Sequence, residues 1–439
     1  MATSLPDPGI PAVPVRFSDA LARVREWTFT NQELLPKDTI FLRDLRGRFR
    51  VIVRGVPTLR QQFDDALASL HVALGAFSPG RESLCVNSEE LFDANSFFSS
   101  QDLRPLSPDW PQSPYLLDRE PQNGDWLRGG LDPIPDISLV TFYGVKGGVG
   151  RSTALALLAI RLAEQGRRVI VVDLDLESPG LTSVLSPPGA LPPFGMVDWF
   201  VENGVGQADM SLAKDMMTKS PLGRDAGGEI LLVPAFGENE HDYLGKLSRA
   251  YLDQPAADKT IDFASVLRDG LAALAHVSGA SVMLLDSRAG LHDIAASAIV
   301  RLGAHTLLFA ANSPQTWRSY RLLFEHWQSF PERLPQFRAY LKFVDALIPE
   351  TGRADHRESF VENAYSLLSD TIYEKTGPGE LAEFNYDVQA IDAPHWPLPV
   401  RWSRVFQEFD PLSNDSQVSH AEIEAAYGEF LQGVIDLLF

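Results

Sequence analysis

The sequence predicts an α/β chain: a doubly wound, mostly parallel sheet over residues 136–439, behind an N-terminal α/β extension over residues 1–135. Three observations carry this reading. From Ile137 onward, apolar runs alternate with helix-spaced segments. Those runs are continuously apolar, as strands covered on both faces are. Before them lies the tract LRPLSPDWPQSPYLLDREPQNGDWLRGGLDPIPD, whose Pro, Ser, Asp and Gly content reads as a linker or an irregular packed strap.

Within the extension, TIFLRDLRGRFRVIVRG places Phe49, Val51 and Val53 on one face and Arg48, Arg50 and Arg54 on the other. This is a half-buried strand and one arm of a hairpin turning at Arg46–Gly47. The segment PTLRQQFDDALASLHVALG has helical spacing, with Leu59, Phe63, Leu67, Leu70 and Val72 clustering on one side. Arg43, Arg46, Arg48, Arg50, Arg54 and Arg60 form a local basic cluster. A solvated strand face balanced by Asp38, Asp44, Asp64 and Asp65 is the expectation there, since no aromatic residue interleaves with the arginines on that face.

The second part predicts strands in ISLVTFYG, RRVIVVDLD, EILLVPAF, ASVMLLD, HTLLFAA and LKFVDALIP. Helices are expected over 152–165, 259–276, 293–302, 314–329 and 355–373, and in GMVDWFVENG. Residues 376–418 read as loop-rich, with PHWPLPVRWSRVF the most ordered piece. A closing helix, HAEIEAAYGEFLQGVIDLLF, puts Ile423, Ala426, Tyr427, Phe430, Val434, Leu437 and Leu438 on one side. Membrane-surface helices carry Lys and Arg on their polar face, whereas no basic residue follows Arg404. The expectation is a docked core helix.

Bulk properties narrow the functional classes. The chain has 439 residues, 45% hydrophobic and 22% charged, the mix of an ordinary globular protein. A net charge of −20 disfavours wholesale binding to DNA or anionic lipid. The one cysteine, Cys85, excludes an intramolecular disulfide and fits a reducing compartment. The N-terminus lacks a basic and apolar leader, and no apolar run approaches the roughly 18–20 residues that span a bilayer. A cytoplasmic protein without membrane attachment is expected. His241, His292 and His395 have no ligand-like spacing, so nothing points to zinc.

The most informative stretch is GVKGGVGRST, residues 144–153, between the run Ile137–Phe142 and the helical ALALLAIRLAEQG. Strand, glycine loop and helix together make a phosphate cradle. Gly147, Gly148 and Gly150 let backbone N–H groups approach phosphate oxygens, and Val149 lies among them. The helix opening near Ser152 adds unsatisfied N–H groups and its positive dipole end. Ser152 offers a hydroxyl to Mg²⁺, and Thr153 a hydroxyl or N–H to an α-phosphate. Arg151 occupies the place of the usual phosphate-binding lysine, and a second cation, Lys146, stands earlier in the loop.

Three aspartates complete the pattern. Asp173 and Asp175 end one predicted strand and Asp286 another, so all three face the crevice beyond the carboxyl edge of the sheet. Asp286 suits an anchor for Mg²⁺-bound water, with Ser152 the direct ligand. Asp175 is placed to orient an attacking water, and Asp173 reads as a hydrogen bonder at the strand end.

KGGVGRST, VVDLDLESPGL and LLDSRAGL resemble the deviant Walker A, Walker A′ and Walker B segments of MinD/ParA-type ATPases, in the variant in which KGGVGR replaces KGGVGK. The motifs cover about residues 137–350 and say nothing firm about residues 1–135. The resemblance implies ATP with Mg²⁺, a parallel α/β sheet, and two subunits that sandwich the nucleotides. It implies that Lys146 reaches the partner's phosphates and couples dimerisation to hydrolysis. Arginine at 151 keeps phosphate charge but changes geometry, so slow or partner-gated turnover is expected. No NKxD or TKxD tetrapeptide occurs, which favours ATP over GTP. Asn312 and Pro314, in AANSPQTWRSY, are adenine candidates, although Ser313–Pro314 is also a good helix start.

The functional expectation is a nucleotide-switched dimer that regulates a protein partner. KGGVGR-type proteins also resemble components of multi-gene bacterial defence or conflict systems. A non-hydrolysing ATP-binding scaffold, with residues 1–135 in recognition, stays open. A DNA-partitioning ATPase fits less well, because the chain is acidic and has no basic stripe.

Overall fold

The computed structural model describes residues 14–439 except 56–58, 101, 108–109, 111–112, 120–125, 127, 224–226, 239–241, 253, 256–259, 329, 376–383, 408 and 414–417. Parts of the proline-rich tract, the Gly/Asp-rich stretch after Pro221, His241 and parts of 376–418 therefore lie outside the described residues. The chain divides into two compact units, Met1–Gly124 and Asp125–Phe439.

The first unit is built on five strands: β1 (Ile40–Arg43), β2 (Phe49–Val53), β3 (Cys85–Asn87), β4 (Leu103–Pro105) and β5 (Tyr115–Asp118). Their order is β3-β2-β1-β5-β4. The β1–β2 hairpin turns as expected, with Gly47 at φ +78° and the Asp44 N–H donating to the Arg48 carbonyl at 2.8 Å. Helices α1 (Phe17–Asn31) and α2 (Arg60–Leu74) bury Val24, Trp27, Phe63, Leu67 and Leu70 against Phe41, Phe49, Val51 and Val53.

Three details depart from the sequence reading. Leu59 caps α2 and Val72 points away from its stripe, so both are exposed; Ala66 and Leu74 fill the apolar face instead. The arginine face of β2 is not simply solvated, because Ile52 packs there with Ile40, Leu117 and two rings of the short helix α3 (Ala94–Phe98), Phe97 and Phe98. Aromatic rings do interleave with arginines. The Arg54 guanidinium lies 3.9 Å from the Phe98 ring centroid, and buried Arg43 lies 3.5 Å from that of Phe17 while pairing with Asp118.

The second unit holds an eight-stranded sheet: β6 (Ser138–Gly144), β7 (Arg168–Asp173), β8 (Thr218–Lys219), β9 (Glu229–Val233), β12 (Val282–Asp286), β13 (His305–Ala310), β14 (Leu341–Ile348) and β15 (Leu398–Arg401). A separate two-stranded ribbon comprises β10 (Gln254–Pro255) and β11 (Thr260–Ile261). The sheet order is β15-β14-β13-β6-β12-β7-β9-β8, parallel throughout except for β8. Each of the six predicted strands is present. Two short edge strands went unpredicted: β15 carries a proline, which an edge strand tolerates, and β8 has two residues.

Helices cover both faces. α4 (Arg151–Glu164), α5 (Leu181–Leu185) and the closing helix α13 (His420–Leu438) share one apolar cluster with β6, β13 and β14. On the other face, α6 (Met196–Gly204), α7 (Met210–Asp215), α8 (Tyr243–Ala250) and α9 (Phe263–Ser278) pack beside β7, β9 and β12. α10 (Asp293–Ala296), α11 (Pro314–Gln328) and α12 (Arg353–Thr371) complete that layer over β13 and β14. α9 starts later than expected because Asp262 caps it, accepting from the Ser265 N–H at 2.8 Å. α13 is a docked helix with Ala426, Tyr427, Phe430, Leu431, Val434 and Ile435 buried. Among the described residues, no helix is long and apolar enough to cross a membrane. The end of the proline-rich tract packs within this unit: Trp126 lies against Trp327, and the Leu131 N–H donates to the Arg301 carbonyl at 2.7 Å.

Candidate functional site

β6 runs between β12 and β13, and β7 lies on the far side of β12. The register pairs Asp286 with Phe142 on one side and with Asp173 on the other. The loops after β6, β7 and β12 therefore open at one edge of the sheet, beyond its carboxyl ends. The glycine loop follows β6. Gly148 and Gly150 have φ of +74° and +79°, a left-handed backbone that side-chain-bearing residues rarely adopt. Gly150 caps α4 with no side chain, which leaves the first N–H groups of that helix facing the loop. Lys146 is part-exposed on this loop, Gly147 is exposed and Val149 is buried; Thr153 is part-buried in the first turn of α4.

Arg151 does not point to solvent. It is buried, and its Nη1 donates to the Ser287 carbonyl at 2.6 Å. The Ser152 hydroxyl donates to Asp286 Oδ2 at 2.6 Å. Burial pushes the Asp286 carboxyl up to about 6, against the pull of Arg151 and the Ser152 hydrogen bond. Its Oδ1 and the Ser287 hydroxyl are buried with no hydrogen-bond partner among the described residues.

Asp173 is buried and organises the next loop. One carboxylate oxygen accepts from the Asp175 N–H at 3.1 Å, and the other from the N–H groups of Gly180 and Leu181 at 3.2 Å each. Burial and the neighbouring Asp286 push its carboxyl up to about 8. Asp175 is half-buried, and burial raises it as well, opposed by Arg151 and Arg288. Its Oδ1 has no partner among the described residues.

The structure brings Asp173, Asp175, Asp286, Arg151 and Ser152 together, but it engages Asn312 elsewhere. Asn312 Oδ1 accepts from the Trp317 indole at 2.8 Å and from Asn363 at 3.3 Å, which ties its side chain to α11 and α12. Pro314 is exposed as the first residue of α11, and Ser313 bonds the Thr316 N–H, the helix-start geometry. A second cluster was not anticipated. Glu177 Oε1 takes Arg288 Nη1 at 2.5 Å, the Tyr251 hydroxyl at 2.7 Å and His292 Nε2 at 3.4 Å. The available signal was spacing: Glu177 follows Asp175 by two residues, and Arg288 follows Asp286 by two.

The donor set around the loop suits a hard, oxygen-seeking cation. The Ser152 hydroxyl and the unpartnered Asp286 Oδ1 are oxygen ligands of the kind Mg²⁺ takes. Among the described residues, no group of three or more His, Cys, Asp or Glu could hold a metal ion unaided. Magnesium commonly completes its shell with substrate phosphates and water, so the residues present fit it in that setting.

Residues 140–307 match the family model described as the CobQ/CobB/MinD/ParA nucleotide binding domain. The antiactivator FleN of Pseudomonas aeruginosa is 28% identical over 186 residues, 42% of this chain and 54% of that protein. The septum site-determining protein MinD of Helicobacter pylori is 49% identical over 47 residues, 11% of this chain and 18% of that protein. The chain thus spans about half of FleN's length and less of MinD's. Among solved structures, apo McdA of Cyanothece aligns with a TM-score of 0.43 at 17% identity, over 69% of this chain and 100% of that one. Glycine loop, aspartate-ended strands and sequence match coincide in one segment: residues 140–307 resemble the nucleotide binding domain of the CobQ/CobB/MinD/ParA family.

Proposed function

We propose that the chain binds Mg–ATP, hydrolyses it slowly, and dimerises on ATP binding to regulate a protein partner, the setting being a bacterial multi-gene defence or conflict system. The observation that supports this best is the charge layout beneath the glycine loop. Arg151 turns inward to Ser287, and Ser152 meets Asp286, at the edge where α4 presents its free N–H groups. Phosphates seated on the loop take N–H groups from residues 147–153 and charge from Arg151. Ser152 and Asp286 would hold Mg²⁺, which supplies charge neutralisation on the β- and γ-phosphate oxygens when bound.

Asp175 then orients the attacking water through its unpartnered Oδ1. Asp173 holds the Asp175 backbone and the start of α5, so it sets where that carboxylate stands. Lys146 serves the partner subunit's phosphates, offsetting charge as the β–γ bridge breaks. The reading places the protein in the cytoplasm, with no membrane or strong nucleic-acid binding.

One observation favours the runner-up, a scaffold that binds ATP without turnover. The Arg151 guanidinium is already committed to a backbone carbonyl, so its reach toward the γ-phosphate is restricted. Steady-state turnover and ATP binding for wild type, Lys146→Ala and Asp175→Ala separate the two readings. The switch reading expects both variants to bind ATP with turnover reduced at least about a hundredfold, the lower end of what a positioned base contributes. Equal turnover in all three proteins sinks it in favour of the scaffold.

A further inference from the structure

One oxygen of Glu177 meets a tyrosine hydroxyl, an arginine and a histidine ring from three different elements. Arg288 comes from the loop after β12, His292 from the start of α10, and Tyr251 from the end of α8. Arg288 is the ligand with consequences for the nucleotide crevice. It directly follows Ser287, whose carbonyl anchors Arg151. Its charge and that of Arg151 are the two cations acting on Asp175, with Glu177 the opposing anion. Yet Arg288 pairs with Glu177, and Asp175 keeps Oδ1 without a partner.

Two carboxylates two residues apart thus compete for one guanidinium, and the outcome decides whether the Asp175 oxygens stay open to water. A direct Arg288–Asp175 pair would occupy the carboxylate oxygens and hold them as weak acceptors. Tyr251 holds Glu177 in place as a competitor through its hydroxyl hydrogen bond to Oε1, and the His292 ring packs 5.3 Å from the Tyr251 ring beside the same oxygen. Neither Arg288 nor Glu177 is deeply buried, so exchange of partners needs no unfolding.

We propose that Glu177 is a positioning residue that keeps Arg288 off Asp175 and so preserves Asp175 as the water-orienting group. The kinetic half of this inference rests on the ATPase reading above; the structural half does not. The test uses the full chain with Glu177→Gln and with Glu177→Gln/Arg288→Ala.

A crystal structure of nucleotide-free Glu177→Gln is expected to place the Arg288 guanidinium within about 4 Å of the Asp175 carboxylate, ion-pair distance. Arg288 remaining on the substituted side chain at position 177 overturns the proposal, whatever the activity. In turnover assays, Glu177→Gln is expected to lower kcat about tenfold or more with KM for ATP nearly unchanged. The double variant, which lacks the intruding cation, is expected to recover most of that loss. A double variant as slow as the single one overturns the proposal, because a merely structural cluster gains nothing from losing a second member. Absence of turnover in wild type would sink the ATPase reading, and the crystal structure alone then decides the fate of this one.

Discussion

Asp286→Asn should make the nucleotide-free protein more stable while abolishing Mg²⁺-dependent ATP binding. The Asp286 carboxyl is buried and lies up at about 6, against an ordinary value of 3.8. An acid whose folded value is raised is penalised when ionised. The penalty is absent below about pH 4, grows as pH rises between the two values, and is complete above about pH 6. At about 1.4 kcal/mol per tenfold change, the ionised carboxylate costs the folded state roughly 3 kcal/mol at pH 8. Asparagine has the same shape, accepts the Ser152 hydrogen bond through its amide oxygen, and carries no charge. The variant should therefore gain roughly 3 kcal/mol at pH 8 and close to nothing at pH 4. Native-state hydrogen exchange at the amides of β6 and β12 is the suitable assay, because it reads the second unit separately from the first. An Asn variant equal to or less stable than wild type at pH 8 refutes the reasoning. That result would mean that Arg151 and Ser152 fully compensate the buried charge, leaving nothing for a bound cation to relieve.

The same packing and hydrogen bonds set expectations for three other variants. Arg151→Lys keeps the phosphate charge but forgoes the 2.6 Å bond to Ser287, so apo stability should fall by about 1.5–3 kcal/mol while ATP binding persists and turnover holds or rises; nucleotide titration and steady-state kinetics check this, and lost ATP binding contradicts it. Phe430→Ala empties a site wholly buried against Phe142 and Phe309, and should cost about 3–5 kcal/mol in denaturant titration; a loss below 1 kcal/mol, by the same reasoning roughly that of a single methylene, would mean that α13 is not a docked helix. Gly195→Ala puts a Cβ 2.5 Å from the Phe236 backbone and should cost about 1–3 kcal/mol in the same assay; an unchanged midpoint contradicts the close approach of these two loops.

The parallel sheet was legible because both faces of its strands are covered, which leaves continuous apolar runs such as VIVVD and VMLLD. The glycine loop was legible because positive φ at Gly148 and Gly150 demands the residue type that spells the motif. What escaped was non-local. Nothing in the spacing of Asn312 shows that Trp317 and Asn363 will claim its carbonyl, since those partners come from two different helices. The Glu177 cluster joins residues up to 115 positions apart, His292 being the farthest, and no periodic pattern encodes such a meeting. In the first unit, the sequence reading paired Arg54 with solvent because Phe98 is distant in the chain, although the fold lays the cation over that ring.

Charge balance in the crevice argues for how a nucleotide would be admitted. Asp173, Asp175, Glu177 and Asp286 bring four carboxyl groups to the edge of three adjacent strands, facing Arg151 and Arg288. Three of the carboxyls, Asp173, Asp175 and Asp286, are pushed up by burial, the response of acids short of compensating cations. A polyphosphate adds several negative charges to a site that already repels them. The loop's N–H groups and Arg151 offset part of this, but a divalent cation between Asp286 and the phosphates offsets it on both sides at once. On this reasoning, nucleotide affinity should depend on Mg²⁺ far more steeply than in a lysine-type loop without the buried carboxylates. The advantage should disappear in Asp286→Asn, where the cation has lost its protein-side charge. Titration of ATP with and without Mg²⁺ in both proteins measures this directly, and equal Mg²⁺ dependence in wild type and variant would detach Asp286 from the cation.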